Sequence, residues 1–123
     1  MRKVEDLYYT YDPLADALSI NERNNHQYEE TIELNNNIFI DLDKDENPIG
    51  VEILDASIVL NVNKFSLKKI KCIQMKIEIK KEFIYLKLHL KVESLGERLI
   101  KEFDSTFVND FNLPLISREL ATI

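Results

Sequence analysis

Three aspartates alternate along one short stretch, Asp41-x-Asp43-x-Asp45, and Glu52 follows eleven positions after the first. That is the carboxylate spacing of a loop that wraps a calcium ion, in which hard oxygen ligands surround a hard cation. The glycine such a loop needs at its sixth position is Glu46 here, and the flanking residues read as strands where helices should stand. Weak binding of a divalent cation by Asp41, Asp43, Asp45 and Glu52 is therefore weighed against a plainer reading, an ordinary solvated acidic face.

Other residues able to do chemistry are sparse. Asp12 and Asp16 could form a carboxylate pair for proton transfer, but no nucleophile accompanies them, and a turn cap and a loop hydrogen bond are the simpler roles. Asp55 reads in the same way as the cap of the turn at Ala56-Ser57. His26, His89 and Cys72 supply at most three nitrogen or sulfur ligands, one short of a structural zinc site. With Gly50 and Gly96 the only glycines, a backbone cradle for phosphate is not expected. Lys76, Lys80, Lys87 and Lys91, with His89, Phe83 and Tyr85 interleaved, resemble a sheet face that neutralises phosphates and stacks bases. Against that stands a pI near 4.9 for the whole chain.

Two hairpins would position these groups. Ile38, Ile40 and Leu42 alternate with polar or aromatic neighbours, as do Ile49, Val51 and Ile53, the two-residue period of a half-buried strand. Pairing Leu42 with Ile49 puts both rows on one face and leaves Lys44 to Asn47 as the turn, with Pro48 opening its strand. In the second hairpin Ile73, Met75, Ile77 and Ile79 face Ile84, Leu86, Leu88 and Leu90, with Ile79 opposite Ile84. That register sets Lys76 opposite Lys87, so an acidic neighbour or an anion is expected beside them. Earlier strands are read at Leu7–Tyr11, Ala17–Asn21 and Tyr28–Leu34, the last with Tyr28, Ile32 and Leu34 inward. Asn35-Asn36-Asn37 forms a tight turn through the tolerance of Asn for positive φ. Residues 63–70 read as a helical turn. Ser94-Leu-Gly-Glu97 fits either a helix start or a turn into a third strand over 97–105, and the strand is preferred because it covers an apolar edge. Residues 115–123 form a last strand or docked tail.

Tyr11-Asp12-Pro13-Leu14-Ala15-Asp16-Ala17-Leu18, then Ile40-Asp41-Leu42-Asp43, then Gly50-Val51-Glu52-Ile53-Leu54-Asp55-Ala56-Ser57 resemble the domain-of-unknown-function family 2283 over residues 7–57. The matching motif positions are Tyr11, Asp12, Asp16, Ala17, Asp41, Gly50, Glu52 and Asp55. Ser19 departs from the aromatic residue usual there, and Glu46-Asn47 replaces a glycine-containing turn. The resemblance implies a small β-rich fold and brings no activity with it.

At 123 residues, 45% hydrophobic and 31% charged, the chain has the size and composition of one globular domain. One cysteine fits a reducing compartment, and no apolar run nears the roughly 20 residues of a membrane span. The opening residues lack the apolar core of a secretion signal, so a cytoplasmic protein that does not engage membranes is expected. Charge is uneven: the balance is −10 over residues 1–57, +7 over 58–91 and −3 over 92–123. The expected architecture is α+β and predominantly antiparallel β, a meander over 7–57, a linker with a helical turn over 58–71, and a second hairpin with a tail over 72–123. The expected role is a non-catalytic protein-interaction or oligomerisation module without cofactor, pairing with itself or a small protein. The rival roles are an antitoxin-like regulator that binds a basic protein or nucleic acid, and a carboxylate metal binder.

Overall fold

The computed structural model describes residues 3–23 and 27–122, so His26 lies outside the described residues. Among the described residues nine strands form one sheet: β1 (Lys3–Asp12), β2 (Ala17–Glu22), β3 (Tyr28–Glu33), β4 (Ile38–Asp43), β5 (Pro48–Leu54), β6 (Cys72–Ile79), β7 (Phe83–Ser94), β8 (Glu97–Val108) and β9 (Ile116–Thr122). Two four-residue helices, α1 (Ala56–Val59) and α2 (Lys64–Leu67), link β5 to β6. The strand order is β3-β4-β5-β2-β1-β9-β6-β7-β8, and every pairing is antiparallel except β1 with β9.

The expected pair of joined meanders is corrected in two places. In the first half β2 lies against β5, not β3, so the hairpin β1–β2 and the meander β3–β4–β5 sit side by side. The C-terminal strand β9 then inserts between β1 and β6 and makes the two halves one mixed sheet. One hydrophobic cluster draws from both halves, from Leu18, Ile38 and Val51 to Ile73, Leu88 and Leu90, all fully buried. Two single-turn helices cannot cover so many side chains. The sheet must curl so that its own inner faces cover each other.

The periodic rows landed where their spacing put them. The β6–β7 register holds throughout, Ile79 opposite Ile84 and Lys76 opposite Lys87. In β4–β5 the register runs as expected through Ile38↔Ile53, Ile40↔Val51 and Asp41↔Gly50, then shifts so that Leu42 meets Pro48. The cause is the turn. Asp43 and Asn47 close a three-residue loop through Asp43 N–H to Asn47 O at 3.0 Å, with Glu46 at φ +62° in the left-handed position that ends such loops. Tyr28 is a correction: a register shift between Tyr28 and Glu30 turns it outward, 59% exposed. The Asn35–Asn37 turn needs no positive φ. Its carbonyl oxygen Asn35 Oδ1 instead accepts the amides of Asn37 and Ile38, both at 2.8 Å. Helix α2 is shorter than the expected 63–70, capped by Asn63 Oδ1 accepting from Ser66 N at 2.8 Å, and Phe65 points to solvent.

The segment after Ser94 is a strand that reaches Val108, and Leu95-Gly96 forms its hairpin turn with φ +53° and +81°. Two positive φ values mark the type I′ turn, whose twist matches the strands it joins. Leucine is a poor residue there, since its Cβ crowds the carbonyl in the left-handed region. Leu95→Asn and Glu46→Gly should each raise stability by about 0.5–1 kcal/mol, read as a higher urea midpoint at unchanged slope. A lowered midpoint for both would show that these side chains hold their turns by other contacts.

Candidate functional site

The motif residues gather into two knots. In the first, the β1–β2 turn throws Asp16 back under α1. Asp12 Oδ1 accepts the amides of Leu14 (2.9 Å) and Ala15 (3.3 Å) and so shapes the turn. Asp16, itself at φ +52°, is buried and accepts from the Tyr11 hydroxyl (2.6 Å), the Ser57 amide (3.0 Å) and the Ser57 hydroxyl (2.6 Å). Asp12 and Asp16 thus do not form a proton-sharing pair. Burial alone would raise the Asp16 pKa, but the bonds from Ser57 and Tyr11 and the charge of Lys64 outweigh it and hold the carboxyl below its ordinary value. Burial first, then the bond to Asp16, pushes the Tyr11 phenol above its own. A carboxylate held this firmly is a poor base for Ser57.

This knot also corrects the cap. Asp55 sits at the N-cap of α1 with φ +52° and makes no side-chain capping bond. Its Oδ2 accepts instead from Asn37 Nδ2 at 3.2 Å. The α1 amide at Ser57 is served by Asp16, forty-one residues earlier. Ala17 lies between Asp12 in β1 and Leu54 in β5, a small residue in a row of three paired strands.

The second knot lies on the outer face. Thr31, Asp41, Gly50 and Asn21 stand in one row across β3, β4, β5 and β2. Thr31 Oγ1 donates to Asp41 Oδ1 at 2.5 Å. A Cβ on Gly50 would lie 2.5 Å from Asn21 Oδ1 and 3.1 Å from Asp41 Oδ2, so glycine is what leaves these two room. Glu52, opposite Phe39 in the next row, shares a hydrogen bond with Asp41. That bond, then burial, then the Asp41 charge push the Glu52 carboxyl up to about 7. The quartet proposed for a cation is not assembled. Asp43 spends its carboxylate on the hairpin turn, accepting the Asp45 and Asn47 amides at 2.9 Å each, and Asp45 faces solvent. The reason is the three-residue turn, which folds Asp43 back onto its own backbone. Among the described residues no group of three or more His, Cys, Asp or Glu could hold a metal ion.

The Asp41–Glu52 pair sets a pH dependence. A carboxyl whose pKa rises on folding stabilises the fold while protonated, fully below about pH 4.5, and loses that contribution as pH rises through about 7. Glu52 is half-buried, so solvent screening leaves about 1–2 kcal/mol of the shift. Glu52→Gln should therefore melt higher than the wild type at pH 8 and differ little at pH 4.5. Parallel melting curves across that range would reject the shared proton.

The lysines of the second hairpin do not form a continuous basic face. One row across the sheet reads Glu119, Lys76, Lys87, Asp104. Lys76 Nζ lies 2.9 Å from Glu78, Lys80 Nζ 3.9 Å from the same carboxylate, and His89 Nδ1 3.3 Å from Glu102. Lys91 stands opposite Cys72 and Ile100. The acidic neighbours expected beside the Lys76–Lys87 pair come from β6 itself, β8 and β9. A notch of about 620 Å³ between α2 and the β7–β8 turn, lined by Phe65, Lys69 and Leu95 among others, touches neither carboxylate knot.

Sequence reading missed the partners of both knots, Ser57 and Thr31, and missed the ion pair of Glu22 with Arg118, ninety-six residues apart. None has a local signal, because each contact is made by the topology.

The model of a family described as "Protein of unknown function (DUF2283)" matches residues 9–57. A protein of Methanosarcina mazei that bears the name "Putative hypoxanthine phosphoribosyltransferase" is 32% identical over 107 residues, 87% of this chain and 85% of the relative. No solved structure matches the chain. Among the described residues no helix is long and apolar enough to cross a membrane.

Proposed function

The chain belongs to the family of proteins of unknown function DUF2283, and from that premise we propose that it is a non-catalytic module for protein interaction or self-association. One observation carries this reading: the outer face of β7 and β8 presents Phe83, Tyr85, Ile100 and Val108 at 44–59% exposure. Phe83 pairs with Val108 and Tyr85 lies in the next row, which makes an apolar patch at one end of the β7–β8 ribbon, while Ile100 stands apart opposite Lys91. Such patches mark interaction surfaces. Both carboxylate knots of the family motif, meanwhile, are engaged in bonds that shape the fold.

The relative's name would suggest transfer of a phosphoribosyl group to a purine. Nothing in the geometry favours it here, since neither glycine opens a backbone cradle for a diphosphate: Gly50 is packed against Asn21 and Gly96 is a hairpin turn. The alternation of Lys76 and Lys87 with Glu119, Asp104 and Glu78 likewise gives nucleic acid no unbroken cationic path. The reading is tested by purifying the native protein at low ionic strength and measuring its mass and bound species. A particle heavier than the 14.5 kDa chain and free of nucleic acid is expected. A lone monomer with no bound protein at any concentration would end it.

A further inference from the structure

We propose that the free edge of β8 pairs antiparallel with the same edge of a second copy, about a two-fold axis through Ile100, with Arg98 of each copy opposite Glu102 of the other. This rests on the interaction reading above and names its partner. The sheet has two margins, β3 and β8. Strand β3 has six residues and a register shift, and its charges, Glu29, Glu30 and Glu33, are all of one sign, so a second copy would meet them only with like charge. Strand β8 has twelve residues, no proline, and an unbroken register with β7.

Its parity fixes which groups are free. Asn109 N–H donates to Glu82 O at 2.9 Å, in line with the β7–β8 register. Odd-numbered positions of β8 therefore bond to β7, and Arg98, Ile100, Glu102 and Asp104 direct their N–H and C=O groups away from the sheet. Two such edges related by a two-fold axis pair even positions with even ones, which also keeps the inner faces of both copies on one side.

Charge then selects the register. An axis through Lys101, Glu102 or Asp104 sets that charge against itself, and one through Phe103 sets Glu102 against Asp104 twice. An axis through Ser105 forms no opposite-charge pair, and one through Leu99 leaves only a short overlap next to the hairpin turn. The axis through Ile100 brings two half-exposed isoleucines together, flanks them with two Arg98–Glu102 pairs, and places Lys101 opposite Leu99.

Equilibrium sedimentation of the full chain over a concentration series tests this. The wild type should dimerise. Arg98→Glu and Glu102→Arg should each weaken the dimer at least ~10-fold, since two pairs turn repulsive at once, and the double swap should restore it to within ~3-fold. Ile100→Pro removes an outward N–H without touching a bond to β7, so it should give a monomer with unchanged far-ultraviolet dichroism. A wild type that stays monomeric, a dimer indifferent to Ile100→Pro, or a double swap no better than the singles would overturn the proposal. A monomer that copurifies with a different protein would remove this dimer and leave the interaction reading standing.

Discussion

Arg118→Ala is expected to destabilise the fold by about 3–5 kcal/mol. Arg118 lies opposite Ile77 in β6 and Glu22 opposite Leu7 in β1, and both neighbours are buried on the inner face. The guanidinium therefore enters the concave side of the sheet. It meets Glu22 as a fork, Nη1 to Oε2 at 2.9 Å and Nη2 to Oε1 at 3.0 Å, and Nη1 also donates to the Pro48 carbonyl at 2.9 Å. The Glu22 side chain is only 2% exposed. Removing the cation takes a forked pair of charge-assisted bonds away from a buried carboxylate, and the cost of losing them where water is excluded is what the measurement reads. The pair ties β9 to β2 across the intervening β1, and the start of β5 is drawn in through Pro48. Replacing both residues together, Glu22→Leu with Arg118→Leu, should recover most of the loss, because two apolar groups need no compensation. Urea midpoints for the singles and the double form a cycle that isolates the pair. A loss below about 1 kcal/mol for Arg118→Ala would mean that the fork is incidental to the fold.

How much of this the residues announced depends on range. The hydrophobic rows at 38–42, 49–53, 73–79 and 84–90 declare strands because period-two alternation is local, and both hairpins follow from matching those rows across a short turn. Even the uncertain tail resolves by a local rule: Ser94 to Glu97 could start a helix or turn a hairpin, and the positive φ at Leu95 and Gly96 is the hairpin's demand. The order of strands was not legible. Whether β2 meets β3 or β5 is decided by which inner face can be covered, and the docking of β9 between β1 and β6 joins residues more than a hundred positions apart. The four carboxylates of the candidate cation site are not brought together, for a smaller reason. Carboxylate spacing along the chain fits a calcium loop, yet the three-residue turn between Asp43 and Asn47 uses up the Asp43 carboxylate on amides two and four residues ahead. Asp41 and Glu52 did meet on their shared outer face, and the bond between them raises the Glu52 carboxyl above its ordinary value.

Asp16→Ala is expected to cost about 2–4 kcal/mol, because one buried side chain satisfies three donors, one on the adjoining strand β1 and two on the distant α1. The Tyr11 hydroxyl, the Ser57 hydroxyl and the Ser57 amide all lose their acceptor at once, and α1 loses the group that caps it. Asp16→Asn separates the charge from the shape. Asparagine tolerates the φ of +52° that position 16 adopts, so the turn survives, while its amide nitrogen turns toward at least one donor. A loss of about 1–2 kcal/mol is the expectation for that variant. The two variants also predict different acid limbs from the wild type. The folded pKa of Asp16 is depressed, so its contribution is present above its ordinary value of 3.8 and is lost only as pH falls through the lower folded value. Wild-type melting temperature should thus fall on acidification below that point, and Asp16→Asn, with nothing to protonate, should show a flatter limb there. The Glu52 effect has the opposite sign and a separate window, between about pH 4.5 and 7, so one pH series resolves both. If Asp16→Asn kept the wild-type acid limb, the carboxylate would not be what holds α1 against the β1–β2 turn. The family motif would then need a reason other than folding for an aspartate at this place.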